Sequence, residues 1–281
     1  MACSLDYEVD RLLVGDVERD RPIVNPNDPE PLNRTQAPSG SPLTGSGSTL
    51  SQSTVRGDAF VTTAPREGFL TGSFVWMFVG VLLSAVAAAF VMGSETLQQQ
   101  VVDLWFLLLI GQLGLVLAIS FLIQRISPIV ALGLFFVYAL TMGLVLGVIV
   151  LAYVGTMGMS GVVSAFAGAA AIFGGAALYG GVTKRDLTSL GGILFMGLLG
   201  LIVVMFLQLF FFADSSTASL IIGILGVVIF TGLTAWDVQR LKNGAMPNIN
   251  KDSATVLGAL ALYLDFINLF LFMLRIFGSS R

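Results

Sequence analysis

No histidine occurs among the 281 residues, and cysteine occurs once, as Cys3. The first absence removes the side chain that ordinarily titrates near neutral pH. Together the two exclude an internal disulfide and leave no imidazole or thiolate set for a transition metal. Charge is scarce as well: 14 Lys and Arg with 17 Asp and Glu amount to 11% of the chain. Eight of those acids fall in the first thirty residues, so the net charge of -3 describes one end and not the body. A basic stripe of the kind nucleic acid needs is missing, and nucleic acid is not an expected partner. No glycine-rich phosphate loop follows a strand pattern, and no zinc-ligand spacing is present. Site chemistry must come from carboxylates.

What fills the chain is apolar: 56% hydrophobic residues, with 32 glycines spread mostly through long apolar runs. That composition excludes a water-soluble core and reads as an all-α integral membrane protein. Residues 1–67 differ. Phrases such as NPNDPEP and PSGSPLTGSGST cannot bury enough apolar surface to offset the entropy of ordering, and a disordered cytoplasmic tail is expected there. Its LDYEVDRLLVG segment has the pattern of a short helix or docking peptide. The acidic start and the absence of an apolar run before residue 68 give no expectation of a cleavable signal.

From residue 68 to 281 the sequence predicts a seven-helix transmembrane domain. The spans lie near 69–91, 104–124, 129–153, 160–182, 189–212, 218–242 and 253–277, each about the 20 residues needed to cross hydrocarbon. Short breaks between them make consecutive helices neighbours. Glycines in spans three to five (Gly143, Gly147, Gly168, Gly174, Gly175, Gly197 and Gly200) favour close helix packing. Basic residues mark one side of the membrane: Arg56, Arg66, Arg125, Lys184, Arg185, Arg240, Lys242 and Lys251. Glu95, Asp103 and Asp214 mark the other. The positive-inside rule puts the N-terminus in the cytoplasm and, after seven spans, the C-terminus outside. Arg275 and Arg281 break this pattern, and a half-inserted last segment would keep both ends inside.

An ionisable group at mid-membrane costs roughly 2.5–3.5 kcal/mol on insertion scales and marks function. Asp265, in LYLDFINLF, stands near the middle of span seven, and Asp237, in TAWDVQRLK, near the end of span six. Arg125 closes span two, and Gln112, Gln208 and Asn268 are the other long polar side chains at depth. Gly244 suits a helix C-cap, Pro247 prevents continuation, and Asp252 or Ser253 would cap span seven. Counted from their shared side, the two acids differ in depth by about 9 Å, which a vertical offset or a kink near Gly258 would close. If they meet, two carboxylates in a low-dielectric site share one proton and sense pH. Arg125 either pairs with ionised Asp237 or snorkels as an ordinary interfacial cation. Asn268, three residues from Asp265, could donate to it or line a path, with Gln112 and Gln208 as further lining residues.

LALYLDFINLFLFMLRIFG around Asp265, TAWDVQRLK around Asp237 and Arg125 at the end of span two resemble the Bax inhibitor-1, or transmembrane Bax inhibitor motif, family. The resemblance runs from about residue 66 to 281, leaves the tail outside, and points to the bacterial members, hence to a multi-pass protein of the inner membrane. It implies six helices surrounding a central C-terminal helix. It also implies a pH-dependent calcium leak gated by the Asp237–Asp265 pair, which would hold calcium weakly and transiently, with Arg125 as latch. Relatives carry several basic residues where Arg125 stands alone.

No cofactor is expected; calcium is cargo, and the partners are the bilayer, calcium ions and protons. Carboxylate oxygens suit calcium, and two acids with one amide are too few to store it. The alternative is a non-transporting regulator that binds a membrane protease or channel. Intramembrane aspartyl proteases also use one aspartate from each of two late spans, but their YD, GxGD and PAL motifs are absent here, and an enzyme is not expected.

Overall fold

A computed structural model of the chain describes residues 67–211, 215–244 and 250–279. The tail expected over 1–67, with its LDYEVDRLLVG segment, lies outside them except for Glu67, as do Asp214, Pro247 and Arg281. Backbone in hydrocarbon must satisfy its own N–H and C=O groups, and the described residues do so with helices alone. These are α1 (Glu67–Met92), α2 (Glu95–Asp103), α3 (Trp105–Leu122), α4 (Pro128–Val182), α5 (Thr188–Phe211), α6 (Ser216–Lys242) and α7 (Lys251–Ser279). Six are long and apolar enough to cross a membrane. The nine-residue α2 lies ahead of span two, where the sequence predicts no helix. Ser94 caps it by accepting from Leu97 N at 3.4 Å.

The 55 residues of α4 would reach about 80 Å as one rod, far beyond the hydrocarbon thickness. Gly158 breaks the rod with φ 74 and ψ 167, a conformation open to glycine and costly for other residues. The two halves run in opposite directions. Tyr138 meets Tyr263, and Tyr153 lies beside Gly278, so residues 128–157 rise along α7. Beyond the break, Met273 lies against Gly168 and Phe266 against Phe173, so residues 159–182 descend along it. Six helices therefore make seven crossings.

α7 also runs parallel to α1. Ser73 Oγ donates to Thr255 O at 3.0 Å near their starts, and one hydroxyl of the Ser84–Tyr263 pair, 2.6 Å apart, donates to the other further along. Its 29 residues span the full depth at about 43 Å, so the half-inserted alternative is not adopted. The two ends of the described bundle lie on opposite faces. Helix α7 packs against α1, α4 and α6, whereas α5 packs on α6, and α3 on α4 and α2. Buried residues make up 67% of the most apolar stretch of α7 and only 11% of those of α3 and α5, whose faces meet lipid.

Glycine sets the closest approaches, though not at every expected position. A Cβ on Gly143 would lie 2.5 Å from Ser84 O of α1, and one on Gly180 only 2.1 Å from Ala235 O of α6. At Gly174, Gly175 and Gly200 an added Cβ would meet no atom within 4 Å among the described residues, so no close approach there requires glycine. Helix ends follow local chemistry. Pro128 opens α4 behind Ser127, whose hydroxyl accepts from Val130 N, and Gly244 ends α6 at φ 62 as expected. The start of α7 differs: Lys251 already opens the helix, Asp252 sits in its first turn, and Ser253 Oγ is buried with no partner among the described residues rather than capping.

Gly180→Val should lower stability by about 1–3 kcal/mol or prevent folding, because backbone blocks the added methyls. Gly174→Ala should melt at or above the native temperature in the same detergent. In a Cys3→Ser background, thiol reagents should reach Gln99→Cys and Ser279→Cys from one side of the membrane. Gln124→Cys and Lys184→Cys should react from the other.

Candidate functional site

Asp265 sits about 21 Å of rise from the start of α7 and is 4% exposed, while Asp237 is half-buried, five residues before the end of α6. The register of the two antiparallel helices brings them together. Gly258 lies against Leu241, Asp265 against Thr234, and Phe272 against Gly226. In this register α7 begins about 9 Å beyond the end of α6, which absorbs the depth mismatch read from the sequence. Gly258 is not a kink. It remains helical, and its missing side chain admits Leu241 and Ser73.

The Asp265 carboxyl is within reach of the Asp237 carboxyl and the Thr234 hydroxyl. Its Oδ2 is buried without a hydrogen-bond donor among the described residues. Thr234 is fully buried and has one proton, which it donates to Phe230 O at 2.7 Å; giving it to Asp265 would withdraw it from that carbonyl. Two acceptor-only carboxylates cannot bond each other, so their contact is satisfied only when one of them carries a proton.

Beside Asp237 a cavity of about 280 Å³ is lined by Val116 and Ser120 of α3, Asp237 and Arg240 of α6, and Leu257, Leu260, Ala261 and Leu264 of α7. The cation that acts on Asp237 is Arg240. Its Cζ stands 5.2 Å from the centre of the Trp236 ring, which steers the side chain along the helix.

Arg125 does not reach the pair. It lies exposed in the turn after α3, so the latch inferred from the resemblance is not formed here. Asn268 does not serve Asp265 either: its Nδ2 donates back to Leu264 O at 2.8 Å. Gln112 is buried on α3 with no partner for Nε2 among the described residues, and it shares a helix face, at four-residue steps, with the cavity-lining Val116 and Ser120. Gln208 is remote from the pair. It accepts from Arg275 Nη2 towards the opposite end of α7, where Arg275 Nε also donates to Ser219 Oγ at 2.9 Å. No group of three or more His, Cys, Asp or Glu side chains exists among the described residues to hold a metal tightly.

Sequence reading missed Thr234 and Arg240. Both lie at helical spacing from Asp237, at i-3 and i+3, which was the available signal. Gln239 was missed as well. Its amide accepts from Leu187 N at 2.8 Å and donates to Arg185 O at 2.7 Å, clasping the α4–α5 turn.

Two carboxyls facing each other between the last two helices of an apolar helical bundle define an all-α membrane protein with ionisable groups within its helix packing. The model of a family described as "Inhibitor of apoptosis-promoting Bax1" matches residues 66–281. A Deinococcus radiodurans protein is 41% identical over 216 residues, covering 76% of this chain and 90% of that protein. "Inner membrane protein YbhL" of Escherichia coli is 38% identical over 237 residues, 80% of this chain and 98% of that protein. A Borreliella burgdorferi protein is 39% identical over 225 residues, 77% and 94% of the two chains. The chain belongs to the Bax inhibitor-1 family. It is a multi-pass protein of the bacterial inner membrane.

Asp265→Asn can place an N–H donor where Oδ2 of the carboxyl has no partner among the described residues. Its thermal unfolding temperature at pH 8 should equal or exceed that of the native protein. Thr234→Val, which removes the buried hydroxyl at nearly constant volume, should cost about 1–2 kcal/mol.

Proposed function

We propose that the protein is a pH-sensitive calcium leak, with Asp237 and Asp265 as a proton-sharing gate and α7 as the helix around which the other crossings are arranged. One observation carries this reading: two carboxyls from different helices meet in a buried interface where Oδ2 of Asp265 has no hydrogen-bond donor among the described residues. A low-dielectric site cannot hold both charges cheaply, so the pair keeps one proton or recruits a cation. The cation it suits is hard and oxygen-seeking. Two carboxylates bind calcium only transiently, which fits passage and not storage.

The cavity beside Asp237 supplies the approach from the side expected to be cytoplasmic, with Ser120 as its hydroxyl and Arg240 as the cation that holds ionised Asp237 in place. The orphaned amide of Gln112 would extend the polar lining along α3. Chemistry on a bound substrate is no part of this reading, and the protein acts as a conductor of ions rather than an enzyme.

In liposomes loaded with a calcium indicator, native protein should pass calcium at rates that differ between pH 6 and pH 8. Asp237→Asn and Asp265→Asn should each remove that difference. Arg240→Gln should shift the pH at which flux changes, and Arg125→Gln should leave it in place. Equal flux at both pH values in the native protein, or a native pH difference retained in both Asp→Asn variants, overturns the proposal.

A further inference from the structure

The five residues between α4 and α5, Thr183 to Leu187, are held from below by α6. Gln239, itself 7% exposed, engages the backbone on both sides of Asp186 through Leu187 N and Arg185 O. Lys242 Nζ donates to Gly181 O in the last turn of α4. Leu187 is buried against Ala176, Ala235 and Trp236. The backbone of the turn is thereby fixed, while the side chains of Lys184 and Arg185 stand exposed beside the exposed Lys242.

The acid within the turn is otherwise engaged. Asp186 Oδ1 accepts from Thr188 N at 2.9 Å at the start of α5, and bonding from Thr188 holds its carboxyl below the ordinary carboxylate range. It stays ionised and makes no ion pair with Lys184 or Arg185. Three cations against one acid leave a net positive patch at the rim of the bundle, at the depth where phospholipid headgroups lie. Asp237, the other acid on this end of α6, faces the cavity and Asp265.

We propose that the α4–α5 turn is a docking surface for anionic phospholipid headgroups, formed by Lys184, Arg185 and Lys242 and kept in shape by the Gln239 clasp. Charge complementarity selects the partner, since basic side chains at a membrane surface attract anionic headgroups. Rigidity adds to it, because a turn already fixed loses little conformational freedom when a headgroup binds. Gln239 acts as a positioning residue: it touches the turn's backbone and not the lipid. The inference is independent of whether calcium passes the bundle.

The test uses the full chain purified in detergent with equal phosphatidylcholine and phosphatidylglycerol, and native mass spectrometry to count retained lipids. Phosphatidylglycerol should be retained over phosphatidylcholine. K184Q/R185Q should reduce that preference roughly 10- to 30-fold, from about a factor of five for each cation near the surface. Q239L keeps every positive charge and should still reduce it several-fold, while K251Q, on the same face of the membrane at the start of α7, should leave it within twofold. Matching thermal unfolding curves for K184Q/R185Q and the native chain exclude misfolding as the cause. Equal retention of the two lipids, a K251Q loss as large as that of K184Q/R185Q, or an unchanged preference in Q239L would each overturn the proposal. Displacement of phosphatidylglycerol by millimolar inorganic phosphate would do so too, by making the patch a site for free phosphate.

Discussion

The antiparallel register of α6 and α7 is the constraint on which the site depends. Side-chain pairs on both sides of the carboxyls fix it: Leu241 against Gly258 at one end, Phe272 against Gly226 at the other. Both contacts need glycine, because a Cβ on Gly226 would meet the Phe272 ring at 2.4 Å and one on Gly258 would meet Leu241 at 2.7 Å. A slip of one turn, about 5 Å, would carry Asp265 past Thr234 and leave a carboxyl facing apolar wall. Lipid offers no hydrophobic gain on helix association, so fine packing of this kind has to supply the specificity.

That register is in turn supported from outside. Ser73 ties α1 to α7 near the start of both, and the Ser84–Tyr263 hydroxyl pair ties them again two residues before Asp265. Ser84 Oγ also lies 2.7 Å from Ala139 O, so one buried hydroxyl joins α1, α4 and α7. Tyr263 and Asp265 are two residues apart and project to nearly opposite sides of α7. The anchored tyrosine therefore faces α1 and α4 while the aspartate faces α6. α3 and α5, by contrast, keep most of their surface towards lipid, and α3 borders the cavity with only Val116 and Ser120.

Polar groups are segregated along the bundle. The carboxyl pair, Arg240 and the Gln239 clasp occupy the end bearing the basic loops, whereas Arg275, Gln208 and Ser219 form a separate cluster about 15 Å further along α7. The second cluster satisfies its own hydrogen bonds. In the first, Oδ2 of Asp265 is left without a donor among the described residues.

The linear chain alone determined the apolar runs long enough to cross a membrane, the helix ends marked by Pro128 and Gly244, and which acids fall inside those runs, because hydrophobic length and the cost of charge in hydrocarbon are local properties readable residue by residue. It also contained the break at Gly158 between spans three and four, as the gap between two apolar runs. Tertiary structure decided what depends on the offset between helices. The overhang of α7 beyond α6 brings Asp237 to Asp265, an outcome that counting residues from the helix ends could not select. Helix placement also leaves Arg125 exposed and sends Gln208 to Arg275, whereas Arg240 beside Asp237 and the Asn268–Leu264 bond follow from spacing along a single helix. Side-chain partners in a bundle are set by relative rotation and height of whole helices, and those follow from contacts summed along their length.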